Sequence, residues 1–279
     1  MDINSVGILY NARIPKARSL ATDIEAWLGK RVDQVPVCAI NEASDALCLP
    51  EVDLLVTLGG DGSILEAARV SAQYSVLILG INLGRVGFLT EAETNQWEEV
   101  LSRALTGDCW IEERMMIRVT SRRGHEVMSE ADALNDVVVG RGARGRAVHL
   151  RADVDGGELA TYVADGVIIA TPTGSTAYAL AAGGPILPPE LRNILLVPVA
   201  PHLSMERPIV LAEGVTVRIT VIGRRPAVLM VDGQPEANLE NRDVVTVEAS
   251  PHVARFARVR ERTYFYKTLV KRLVPRNEK

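Results

Sequence analysis

Residues Leu55–Ala67 read LVTLGGDGSILEA. An apolar run ends in two glycines, an acid, a third glycine and a serine, and a helical apolar pattern follows. The same strand texture recurs on either side, in SVGILY (Ser5–Tyr10), QVPVCAI (Gln34–Ile40), VDLLVTLG (Val52–Gly59) and SVLILGI (Ser75–Ile81). Short, β-branched and nearly all apolar, these runs suit strands buried on both faces of a parallel sheet. Between them ARSLATDIEAWLGK (Ala17–Lys30), NEASDALCL (Asn41–Leu49) and SILEAARVSAQ (Ser63–Gln73) carry helical spacing or helix-forming composition. Strand and helix in alternation imply right-handed crossovers and an open α/β sheet. TNQWEEVLSRALTG (Thr94–Gly107) reads as a further helix, with Thr94 as N-cap and Gly107 as its stop.

After Asp108 the texture changes. CWIEERMMIRVTSRRG, VHLRADVDGGELATYVADGVIIATP, VTVRITVIGRRPAVLMVDGQ, DVVTVEAS and VARFARVR alternate over short spans between Gly, Asp and Pro. That pattern predicts antiparallel β structure, a sandwich or layered sheet. One helical interruption is expected at Ser175–Gly184, and a tail helix over Thr263–Val274 with Tyr264, Tyr266, Leu269, Val270 and Leu273 as its apolar stripe. The fold class is therefore an α/β domain with a parallel sheet over residues 1–107 and a β-rich domain over 108–262, with a tail, 263–279, returning to the first. A cleft between the two domains is the default place for a ligand.

The 279 residues carry a formal net charge of −4, so no overall basic field attracts nucleic acid or a membrane surface. Arg141–Arg146 and Arg255–Arg262 are local basic patches, more often solvated faces than anion contacts. Cys38, Cys48 and Cys109 lack disulfide or zinc spacing, and their apolar neighbours predict ordinary buried thiols. The acid at Asp2 and the short apolar run after it do not make a signal peptide, and no stretch approaches a membrane span. The expected location is the cytoplasm.

The glycine loop fits no standard phosphate signature. No lysine follows Gly62, as a P-loop requires, and Leu65 stands where a dinucleotide fingerprint has its third glycine. Its physics is still that of an anion loop. Gly59, Gly60 and Gly62 let backbone approach a ligand, and the following helix N-terminus favours negative charge. Ser63 is a candidate helix cap and phosphate contact. Asp61 is the odd member, because a carboxylate beside phosphate is repulsive. Either it accepts a proton from an attacking hydroxyl or holds a cation, or it merely stabilises its own helix.

YVADGVIIATPTGSTAYALAAGGP (Tyr162–Pro185) gathers a second set of groups. Thr171, Thr173, Ser175 and Thr176 offer hydroxyls, Gly174 allows close approach, Tyr178 offers a flat face for a base, and Asp165 can accept from a ribose hydroxyl or an amine. A capped turn would explain part of this set, but not its density.

Taken together, GGDGS (Gly59–Ser63), GINLGRVGFLTE (Gly80–Glu91), LNDVVVGRG (Leu134–Gly142), DGVIIATPTGSTAYALAAGGPIL (Asp165–Leu187), VAPHLSMERPIVL (Val199–Leu211) and DGQ (Asp232–Gln234) make the chain resemble the NAD kinases. The GGDG element alone is shared with phosphofructokinases and lipid kinases; the threonine-rich stretch is far more specific. The resemblance implies phosphorylation of the adenosine ribose 2′-hydroxyl of NAD to give NADP, with ATP or polyphosphate as donor and a divalent cation, Mg²⁺, carried on the donor. It implies that Asp61 meets the accepting hydroxyl as base or orienting group while Gly60 and Gly62 leave room for phosphates. By the same resemblance Phe88 lies near adenosine, Asn135 and Asp136 hold adenine and ribose, and Thr173, Thr176, Ala177 and Tyr178 line the adenine pocket. Asp165 would approach a dinucleotide bound mainly by a neighbouring subunit of a homodimer or homotetramer. The family usually has Asn-Glu where this chain has Asn135–Asp136, one methylene shorter. Asp232 is either a further contributor or a hairpin turn residue, and His202 reads as structural. The competing readings are a sugar or lipid kinase, and a nucleotide-binding regulator without turnover.

Overall fold

A computed structural model describes residues 3–40, 52–84, 87–142, 145–202 and 205–273. The expected helix at Asn41–Leu49 with Cys48, parts of the motifs at Arg85–Val86 and Leu203–Ser204, Arg144 of the basic patch and Val274 lie outside them. The chain forms two compact units, residues 1–113 with 254–279 and residues 114–253.

The first unit opens with β1 (Val6–Tyr10), α1 (Pro15–Leu28), β2 (Val37–Ala39), β3 (Leu54–Gly59), α2 (Asp61–Ser71) and β4 (Leu77–Asn82). Pro15 starts α1 at a position where its missing N–H costs nothing. The strands are parallel in the order β2-β1-β3-β4, and β5 (Ala92–Glu93) pairs with the end of β4. Alternate residues on one face (Val6, Ile8, Leu54, Val56, Leu58, Leu77, Leu79 and Ile81) share a core with Leu20, Ile24 and Leu28 of α1 and with Leu101 of α3 (Trp97–Leu105). On the opposite face Gly80 leaves room for Ile64 of α2; a Cβ there would sit 3.4 Å from Ile64 Cγ1 and closer still to Cδ1. Thr94 does not cap the Thr94–Gly107 helix. Glu93 and Gln96 form a capping box, and the Thr94 hydroxyl donates instead to Asn82 O (3.1 Å). Gly107 adopts φ +78° just past the helix and stops it.

The second unit is antiparallel. After β6 (Trp110–Arg123) and β7 (Glu126–Ala133) come β8 (Asp136–Arg141), β9 (Val148–Val154), β10 (Gly157–Ala164), β11 (Gly166–Ala170), α4 (Tyr178–Ala181), β12 (Asn193–Val199), β13 (Ile209–Ala212), β14 (Val217–Ile222), β15 (Ala227–Val231), β16 (Gln234–Leu239) and β17 (Val244–Arg258). One sheet runs β13-β12-β11-β8-β15-β16, and β10-β9-β14-β17 forms a second layer. Val137, Val139, Val167, Ile169 and Leu196 of the first interleave with Leu150, Tyr162, Val217, Ile219 and Val247 of the second in one buried core.

The strands β6 and β17 each begin in one unit and end in the other, so the divide falls within strands at 113/114 and 253/254 rather than at 107/108 and 262/263. Residues Arg255 and Phe256, at the end of β17, extend the parallel sheet beside β4, and α5 (Tyr264–Leu273) follows in the same unit. The buried face of α5 is Tyr264, Phe265 and Thr268. Tyr266, Val270 and Leu273, expected on its apolar stripe, are exposed.

Candidate functional site

In an open parallel sheet the strand order reverses direction at one place, and ligands sit off the carboxyl ends of the strands there. Here β1 leads outward to β2 while β3 leads the other way to β4, so the reversal lies between β1 and β3. Asn11 follows the first of these strands, and Gly59 ends the second, with Gly60 and Asp61 directly after it. Asn11 Nδ2 donates to Ser63 Oγ (3.4 Å), so these two strand ends meet. The sequence reading missed Asn11, although its place directly after the first strand is a positional signal.

Gly60 is the N-cap of α2, in extended conformation, and Asp61 is already its first helical residue. Ser63 is therefore not the cap. It lies two residues further in, 4 % exposed, with its side chain packed over Gly59 so closely that a Cβ on that glycine would overlap it. By contrast a Cβ on Gly60 or Gly62 would meet nothing within 4 Å, so space opens beside both. Half-buried Asp61 does more than serve its own helix. Its Oδ2 accepts the Phe88 N–H (2.9 Å) and its Oδ1 the Leu89 N–H (3.1 Å). Gly87 makes this contact possible: a Cβ there would lie 2.6 Å from Oδ2 and overlap Oδ1. Each carboxylate oxygen keeps a second acceptor position for another donor. The Phe88 ring is buried beside Phe265 of α5, with centroids 6.2 Å apart.

The second unit holds the other group of expected residues. Gly174 lies against the Asn135 backbone, and a Cβ on it would come 2.9 Å from Asn135 Cα and nearer still to its carbonyl. Thr171 Oγ1 donates to Leu134 O (2.5 Å) and accepts the Gly174 N–H (3.1 Å), while Thr171 N–H donates to Asn135 O (2.9 Å). Ser175 Oγ donates to Pro172 O (2.6 Å) and accepts the Leu187 N–H (2.9 Å). Those two hydroxyls thus fasten the loop to its neighbours. Thr173 Oγ1 accepts from Arg114 Nη1 (3.3 Å), and Thr176 Oγ1 donates to Thr173 O (3.1 Å). Ala177 is half-buried, and Tyr178 presents its ring with 47 % of its surface exposed.

Asp232 carries a structural role that its hairpin setting only half announces. With Gly233 it makes a two-residue turn between β15 and β16, both at positive φ (47° and 78°). Its carboxylate accepts the N–H groups of Leu134 (2.9 Å), Asn135 (2.7 Å) and Asp136 (3.1 Å). It therefore fixes the loop that presents Asn135 and Asp136. Burial pushes the Asp136 carboxyl up to about 7, and the nearby Asp232 charge adds to the effect. Asp165 pairs with Arg141 Nε (3.1 Å), so one cation of the basic patch is engaged. His202 is exposed, its backbone N–H donating to Val163 O (2.7 Å). Among the described residues no three His, Cys, Asp or Glu side chains gather as a metal site, and no helix is long and apolar enough to cross a membrane.

The fold pairs a parallel α/β unit bearing a glycine-framed carboxylate with a β-rich unit bearing a small-residue, hydroxyl-lined loop, the two-part design of a nucleotide phosphotransferase. Two family models match, the ATP-NAD kinase N-terminal domain over residues 29–109 and the ATP-NAD kinase C-terminal domain over 134–259. An NAD kinase of Heliobacterium modesticaldum is 40% identical over 272 residues, covering 94% of this chain and 95% of that one. The chain belongs to the NAD kinase family. Among solved structures, an Archaeoglobus fulgidus NAD kinase in complex with ATP superposes with TM-score 0.76 at 29% identity, covering 96% of this chain and 98% of that one. Yeast NADH kinase complexed with NADH shares the fold with TM-score 0.87 at 23% identity, over 100% of this chain and 89% of that one.

Proposed function

We propose that this protein transfers the terminal phosphoryl group of ATP to the 2′-hydroxyl of the adenosine ribose of NAD, giving NADP. The observation that carries the mechanism is the placing of Asp61: first residue of its helix, framed by open space at Gly60 and Gly62, its carboxylate oriented by two backbone N–H groups. Phosphoryl transfer asks for in-line positioning and compensated charge more than for covalent help. Asp61 orients the ribose hydroxyl and takes its proton late in the step; the N-terminus of α2 receives phosphate oxygens, with Ser63 beside them. The divalent cation, Mg²⁺, comes with the donor and offsets the charge of its phosphates.

In the second unit, Asn135 and Asp136 hold adenine and ribose, while Thr173, Thr176, Ala177 and the exposed Tyr178 line the base; Phe88 lies toward the adenosine. Asp136 is one methylene shorter than the family's usual glutamate, and a local backbone adjustment or a bridging water makes up the missing reach without loss of activity. Asp165 serves the dinucleotide of a neighbouring copy in a homodimer or homotetramer, and the enzyme works in the cytoplasm.

The test incubates purified protein with NAD, ATP and Mg²⁺ and measures NADP. Polyphosphate and NADH run in parallel as alternative donor and acceptor. Asp61→Asn is expected to lose about a hundredfold or more in kcat while still binding NAD. Unchanged turnover in that variant refutes the role given to Asp61.

A further inference from the structure

The turn that orients Asp61 is itself held from behind. Leu89, whose N–H reaches Asp61, offers its carbonyl to Arg258 Nη1 at 2.8 Å. Arg258 has no exposed surface and lies at the end of β17, 169 residues further along the chain. Its guanidinium is fixed on three sides: Nε to Glu112 Oε2 (2.8 Å), Nη1 to Glu91 Oε2 (3.2 Å), and Nη1 to the Leu89 carbonyl. Both carboxylates are buried and have further donors. Glu91 Oε1 accepts the N–H groups of Val259 (2.9 Å) and Arg260 (2.7 Å), and Glu112 accepts the Tyr264 hydroxyl (3.0 Å). The Glu91 backbone N–H also donates to Gly80 O in β4 (2.7 Å), so the far end of the turn is tied to the sheet.

From this chain of contacts we infer that Arg258 is a positioning residue for phosphoryl transfer: it locks the Phe88–Leu89 turn whose two N–H groups aim the Asp61 carboxylate. The inference rests on the reading of Asp61 given above. The two carboxylates compensate the charge of the buried guanidinium, and the third bond, to the Leu89 carbonyl, ties it to the turn that carries the two donors of Asp61. A planar fork can hold one carboxylate through Nε and a carbonyl through Nη1 at fixed angles, and a lysine ammonium cannot reproduce that geometry. The carboxylate position it controls is where displacement of about 1 Å costs orders of magnitude in rate.

Arg258→Lys keeps the charge and removes the fork. Its kcat is expected to fall on the order of tenfold to a hundredfold, with KM for NAD within about twofold. Hydrogen exchange in the intact protein is expected to speed up at the backbone N–H groups of Phe88 and Leu89. Tyr264→Phe is the control for a purely structural cluster. It removes the buried hydroxyl bond to Glu112 but leaves the Arg258 bond to the Leu89 carbonyl, and is expected to lower Tm while leaving kcat within about twofold. If Arg258→Lys does not accumulate folded, Glu91→Gln, which keeps volume but removes one charge beside Nη1, is read in the same way.

Unchanged kcat in the Arg258 or Glu91 variant overturns the inference, whatever the exchange rates do. Equal losses of kcat in Tyr264→Phe and Arg258→Lys overturn it too, because the cluster would then act only through stability. Asp61→Asn is measured beside them. If it retains turnover, the reading of Asp61 fails and takes this inference with it; if it loses turnover and Arg258→Lys does not, the positioning role alone fails.

Discussion

Replacing Asp136 by asparagine should flatten the pH dependence of stability. The carboxyl is 5 % exposed, and burial with the Asp232 charge raises its pKa from 3.8 to about 7. In the unfolded chain it ionises near 3.8. A raised folded pKa means that the native state holds its proton longer than the unfolded state. The associated stability is fully present below pH 3.8 and is lost as pH rises toward 7. At about 1.36 kcal/mol per pH unit, the whole loss is about 4 kcal/mol, and the part between pH 5 and pH 8 is roughly 2 to 3 kcal/mol. Asparagine keeps a similar shape and cannot ionise. Urea unfolding of both proteins at pH 5 and pH 8 isolates this group together with its coupling to Asp232, because the titrating side chains away from that pair contribute alike to both. The wild type should lose roughly 2 to 3 kcal/mol more than Asp136→Asn between those pH values. Parallel pH dependence, within about 0.5 kcal/mol, would show that Asp136 is ionised or solvated in the native state and would sink the reasoning.

Gly87→Ala drives a methyl group into the Asp61 carboxylate, so its kcat should fall on the order of a hundredfold while NAD binding survives; steady-state kinetics with a separate binding titration reads both. Gly174→Ala places a methyl group against the Asn135 backbone, which cannot yield as a side-chain tip can. Its principal effect should be weaker NAD binding, by about tenfold or more, measured calorimetrically, with some loss of Tm.

The parallel sheet was legible because each of its strands is an apolar run on its own, and burial on both faces leaves no other use for such runs. Asp61 was legible for the opposite reason: a charge in a phosphate-type loop contradicts its surroundings. Contacts between distant residues left no such trace. Asp232 lies 97 residues from Asn135, and nothing in VDGQ distinguishes a turn aspartate facing water from one accepting three N–H groups. Arg258 likewise reads as one arginine in a basic stretch until Glu91 and Glu112 are seen on either side of it. The tail helix is legible, but only part of its buried face is: of the expected stripe Tyr264 is buried and Leu269 half-buried, while Tyr266, Val270 and Leu273 are exposed. Aromatic residues at 264, 265 and 266 permit more than one stripe, and the polar Thr268 is what completes the buried one. The hydroxyls of Tyr162–Pro185 were too numerous to sort by sequence, and Thr171 and Ser175 belong to the loop's own framework.

The first unit is discontinuous, and this has a consequence for biosynthesis. A ribosome delivers residues 114–253 in one uninterrupted length, so the β-rich unit can close as soon as it emerges. The parallel sheet made earlier must wait: the edge of β4 has no Arg255–Phe256 beside it, and Glu91 and Glu112 have no arginine between them. Until that late segment arrives, nascent chains carry two unneutralised carboxylates where a dry interior will form, and translation that stops short of Arg258 leaves them without their cation.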